Sequence, residues 1–82
     1  MERKYTEEDV KELIQWGEER LSKKDYPKGT FKLSKSHKIP NCEKYIDAMV
    51  NTIKFNWKNI YFTPLIDEFI EFRKMVEELA QE

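Results

Sequence analysis

The 82-residue chain contains one cysteine, one histidine and two glycines, and no arginine falls between residues 21 and 72. Each scarcity removes a class of function. A lone cysteine, Cys42, makes no internal disulfide, which excludes a stapled secreted scaffold and fits a reducing compartment, with the cytoplasm as default. Gly17 and Gly29 are too isolated to build a phosphate-cradling loop, and no GxSxG or Walker-type sequence occurs. One histidine and one cysteine leave most of a tetrahedral shell to be found elsewhere, so neither a metal nor a cofactor is expected. Long apolar runs are missing as well. None approaches the roughly 18 residues of a membrane span, and the opening MERKYTEED lacks the apolar core of a secretory signal, so no membrane association is read.

His37 and Cys42 invite a reading as a nucleophile pair, since the dipole of a helix starting at Cys42, with Lys38 and Lys44 nearby, would lower a thiol pKa. They stand five positions apart with Pro40 between them, and no family signature surrounds the cysteine. Cys42 reads better as a small hydrophobe at a helix start. The carboxylates at Glu7, Glu8, Asp9, Glu12, Glu18 and Glu19 read as the solvated face of an amphipathic helix. No enzyme and no small-molecule substrate is inferred.

What the chain does have is apolar periodicity. Hydrophobic residues make up 39 % and aromatics 13 % of a nearly neutral chain, too apolar for disorder. At this length it is one domain, 1–82, of mainly α class: three helices with a long lysine-rich loop between the first two. Thr6 and Asp9 form a capping-box variant opening a helix over 7–23, with Val10, Leu13, Ile14, Gly17 and Leu21 on one stripe and Trp16 on its flank. Gly17 lies on that stripe, a notch that a crossing helix or its aromatic would fill. Asn41 caps a second helix over 42–57, whose stripe is Ile46, Met49, Val50, Ile53 and Trp57, with Phe55 nearly opposite. Thr63-Pro64 opens a third over 64–80, with Leu65, Phe69, Phe72, Val76 and Leu79 central and Ile66, Ile70 and Met75 widening the arc. Alternation at Phe31 and Leu33 allows a minor two-strand ribbon pairing 31–33 with 60–62. Phe31, Leu33 and Ile39 are expected to tuck over the core.

Charge is unevenly placed. Residues 1–22 carry a net −3, residues 23–58 a net +6 and residues 59–82 a net −4. The bland account is a solvated lysine loop balancing acidic helices in the same molecule. The functional account makes Lys24, Lys28, Lys32, Lys35, Lys38 and Phe55 a contact surface for an anionic partner, extended by Lys44, Lys54 and Lys58. Arginine supplies most bidentate base recognition and is missing here, and a helix-turn-helix from the last two helices would aim Asp67, Glu68 and Glu71 at phosphates. Trp16, Phe55, Tyr61 and Phe62 read as surplus aromatics, and the third helix as wider than a monomeric core needs. The leading expectation is therefore a small interaction or regulatory protein acting through another protein or a second copy of itself, as a homodimer. The alternative is a nucleic-acid-binding accessory protein using residues 23–58. Residues favoured by AT-rich codons (Phe, Tyr, Met, Ile, Asn, Lys) total 35 against 10 for Gly, Ala, Arg and Pro, the bias of an AT-rich microbial or mobile-element genome.

Overall fold

The computed structural model describes residues 4–33 and 38–80. Helix α1 (Glu7–Lys23) begins where the local chemistry places it: the Thr6 hydroxyl accepts from the Asp9 amide and the Asp9 carboxylate from the Thr6 amide, both at 3.1 Å. It ends in a Schellman motif. The amide of Asp25 reaches the Arg20 carbonyl at 2.9 Å and that of Lys24 the Leu21 carbonyl at 3.3 Å, with Lys24 in the left-handed region at φ 55°. An Arg20–Asp25 ion pair at 2.9 Å spans the positions where such motifs usually make an apolar contact.

Strand β1 (Phe31–Lys32) pairs antiparallel with β2 (Lys38–Ile39), Phe31 opposite Ile39 and Lys32 opposite Lys38. The sequence expectation of a partner at 60–62 is thus corrected. Those residues form a 3₁₀ turn, Ile60–Phe62, because the Asn59 side chain accepts from the Tyr61 amide and the Asn59 carbonyl from the Phe62 amide. The turn runs straight into α3 (Thr63–Ala80), so Thr63 is already helical rather than an extended cap. Helix α2 (Cys42–Asn56) is capped by the Asn41 side chain, which accepts from the Lys44 amide at 3.0 Å.

One core joins the three helices. Phe69 and Phe72 of α3 and Ile46 and Ile53 of α2 are fully buried, against Val10, Leu13 and Trp16 of α1. Each of these large side chains contributes about 2–3 kcal/mol by leaving water. Leu33 and Ile39 close the core beside the ribbon, as the sequence implies; the Phe31 side chain lies outside the described part.

Two sequence expectations fail here. Trp16 is no surplus aromatic: it is 8 % exposed, with its ring edge-on to Phe69 at 5.9 Å and Phe72 at 6.1 Å and the Arg20 and Arg73 guanidiniums each 5.8 Å from it. The wide arc of α3 is likewise spent inside the molecule. Ile66 is buried, Leu65, Ile70 and Met75 pack partly buried on the same core, and Leu79 alone of the central stripe is left exposed. The notch at Gly17 is filled by α2 and α3: a Cβ there would lie 2.6 Å from Val50 Cγ2 and 3.2 Å from Phe69 Cζ.

Candidate functional site

The lysines of the middle segment divide from the other cations by what they touch. Lys4 pairs with Asp67, Lys11 with Glu7, Lys23 with Glu19, Arg20 with Glu19 and Asp25, and Arg73 with Glu12 and Glu77. Among the described residues Lys24, Lys28, Lys32, Lys38, Lys44, Lys54 and Lys58 make no ion pair, a state that Lys74 of α3 shares. All seven are exposed. Exposure without an ion pair is what a solvated lysine loop requires, and it equally leaves these charges open to an anionic partner. The acids of the same segment are largely occupied: Asp25 holds Arg20, and Glu43 accepts from the Tyr26 hydroxyl at 3.1 Å. Asp47 is the exposed carboxylate left on α2.

Local structure places these cations. Directly opposed residues of an antiparallel pair point to the same side, so Lys32 and Lys38 stand together on the outer side of the ribbon while Ile39 is buried. Like charges so opposed weaken the pairing unless an anion lies between them. Residues 24–30 fold against the start of α2 through Tyr26 and Glu43, bringing Lys28 within 4.3 Å of the Tyr26 ring and close enough to Cys42 to act on its thiol. On α2 itself, Lys44, Asn51, Phe55 and, just past the helix, Lys58 recur at i, +7, +11 and +14, a line opposite the buried stripe, with Lys54 beside it. The helix spans about 22 Å.

Phe55 is 80 % exposed, so it does not pack under the loop. Tyr61, six residues on, is 84 % exposed, and Ile60 beside it is 44 % exposed. Of the residues the sequence singles out, the structure thus joins Lys32 with Lys38 and aligns Phe55 with lysines of α2. Lys24 stands apart at the end of α1, and Lys35 and His37 lie outside the described residues. Tyr61, which the sequence reads both as a surplus aromatic and as part of a ribbon strand, is left in the open by the 3₁₀ turn.

The thiol reading loses its electrostatic support. Burial pushes the Cys42 pKa up, outweighing the opposing Lys28 charge, and the side chain is 3 % exposed. Among the described residues no group of three or more His, Cys, Asp or Glu side chains is placed to hold a metal, and no helix is long and apolar enough to cross a membrane. A groove of about 500 Å³ between α1 and α3 has Val10, Leu13, Ile66 and Ile70 in its lining, and the Lys4 and Arg73 charges at its edge are already paired. Tyr45 donates to Glu68 at 3.0 Å, and burial, then that carboxylate, raises its pKa.

No curated protein and no solved structure matches the chain. Residues 8–78, which take in most of all three helices, match the family described as Domain of unknown function (DUF6965), and the chain belongs to that family.

Proposed function

We propose that this member of the DUF6965 family is a non-enzymatic binding protein whose partner is nucleic acid, held through its phosphates by the lysines of residues 24–58. The observation that carries the reading is the set of seven exposed lysines without a carboxylate partner; among the described residues the other cations are, Lys74 apart, ion-paired. Unpaired lysines offer their full charge to a polyanion, and each neutralised phosphate releases condensed counterions, an entropic gain that weakens as salt rises. Without arginine in this face the contact is to backbone rather than to base edges. The protein therefore acts without strong sequence preference.

Association with protein, the leading expectation from sequence, keeps two supports: the exposed rings of Phe55 and Tyr61, and a lysine face complementary to the exposed acids Glu7, Glu8, Glu12 and Glu18 of α1 in another copy. Its two other grounds, Trp16 and the breadth of α3, belong to the core. Fluorescence anisotropy with a labelled oligonucleotide at low salt tests the first reading. Changing Lys32, Lys38 and Lys44 to Gln should cut affinity and flatten the salt dependence by up to about 0.9 in logarithmic slope per lost contact on duplex. A wild-type protein that binds no oligonucleotide at low salt, while its sedimenting mass doubles with concentration, transfers the face to self-association.

A further inference from the structure

We propose that the α2–α3 corner selects single-stranded over duplex nucleic acid by stacking unpaired bases on Phe55 and Tyr61. This inference rests on the phosphate-binding reading above and names its substrate class. Phosphate contact alone does not account for the corner. Phe55 and Tyr61 are 80 % and 84 % exposed within one seven-residue stretch, and the lysines Lys54 and Lys58 alternate with them along the chain. Neither ring serves the core, and neither joins an aromatic or cation contact among the described residues. The neighbouring Trp57 does: its ring is partly buried on the core and lies 5.8 Å from the Lys58 ammonium, which fixes that end of the face while the two outer rings stay open.

Flat rings interleaved with cations are the requirement for holding a single strand. The cations follow the phosphates, and each ring offers a surface to any base, because every base has a π-face. In a duplex those faces are covered by neighbouring bases, so the rings add little there. The strand would run along the outward line of α2, its phosphates near Lys44, Lys54 and Lys58, and meet the rings where the helix ends. Asp47, the one carboxylate on that outward surface, opposes the phosphates and sets the affinity below that of a wholly basic helix.

The test uses the full chain with three probes: a labelled single-stranded oligothymidylate, a duplex of the same length, and vesicles containing phosphatidylserine. The single strand should bind more tightly than the duplex. Phe55→Ala and Tyr61→Ala should each weaken single-strand binding roughly 5- to 100-fold while leaving the salt slope, duplex binding and thermal melt unchanged. Phe55→Tyr should restore most of the loss. Lys54→Gln with Lys58→Gln should instead lower the slope on both nucleic acids. Equal affinity for single strand and duplex, with no effect of Phe55→Ala, would overturn the stacking inference and leave the phosphate reading standing. Absence of binding to either nucleic acid at low salt would overturn both. Vesicle binding that is tighter than single-strand binding and lost in Phe55→Ala would make the corner a membrane contact and overturn the inference as well.

Discussion

Gly17 gives the sharpest test of how the helices meet. An exposed mid-helix glycine replaced by alanine gains about 1 kcal/mol in helix propensity. Here the added Cβ would lie 2.6 Å from Val50 Cγ2, 3.2 Å from Phe69 Cζ and 3.5 Å from Ile46 Cγ2. Carbon atoms in good contact are about 3.5–4.0 Å apart, so the overlap with Val50 is about 1 Å. Val50 yields poorly: it is 4 % exposed, and a β-branched side chain in a helix has essentially one χ1 rotamer. The overlap is therefore relieved by moving α1 from α2, an overpacking cost of about 1–3 kcal/mol. Gly17→Ala should destabilise the protein by about 1 kcal/mol net, lowering Tm by roughly 4–8 °C for a domain of this size. Val50→Ala alone should cost about 2 kcal/mol, from two lost methyl groups and some residual cavity. In the double variant the clash is gone and the propensity gain returns, so it should be at least as stable as Val50→Ala. Urea titrations followed by far-UV circular dichroism on all four proteins close the cycle, with a coupling above about 1 kcal/mol expected. A Gly17→Ala protein more stable than wild type, with additive effects, would refute the close approach of α1 to α2 at this residue.

Asp67 accepts from the Tyr5 hydroxyl and pairs with Lys4, and those contacts, Tyr5 first, hold its carboxyl below the ordinary value. A depressed carboxylate adds stability that is complete above its unfolded pKa and lost as pH falls through the folded one. The stability gap between wild type and Asp67→Asn should thus be constant near neutrality and close below about pH 4; a gap that widens in acid would contradict the assignment. The Cys42 thiol, buried with a raised pKa, should react with a thiol-specific reagent only as fast as the protein opens, and stoichiometric labelling within seconds under native conditions would place it at the surface. Ile53→Asp inserts an unpaired charge at a fully buried position and should abolish the cooperative melt, which an unchanged transition would disprove.

Much of the scaffold is legible in the sequence because its causes are local. The Thr6–Asp9 box, the Asn41 cap and the stripes of α1 and α2 depend on side chains within a turn or two of one another, and spacing reports them faithfully. The notch at Gly17 is readable for the same reason, since a glycine on an apolar stripe implies a close neighbour. What spacing lacks is the identity of that neighbour. Trp16 on the flank of α1 looks available until Phe69 and Phe72 arrive from residues far along the chain, and the breadth of α3 looks excessive until two helices share it. A two-residue alternation at Phe31 likewise has no power to choose between 38–39 and 60–62. The candidate face is half visible in the sequence. Its lysines stand out by count, but which of them lack carboxylate partners depends on contacts such as Arg73–Glu12 that only folding creates.

Lys24 draws stability and binding apart. A lysine in the left-handed conformation that ends α1 costs roughly 1–2 kcal/mol that a glycine would not. Lys24→Gly would make the fold harder to melt while removing one of the seven unpaired lysine charges that the proposed function directs at phosphate. Under the proposed function, selection for heat resistance and selection for affinity pull this one position in opposite directions, and a library sorted for stability alone would drift toward glycine at 24 and give up one of the charges the proposal relies on.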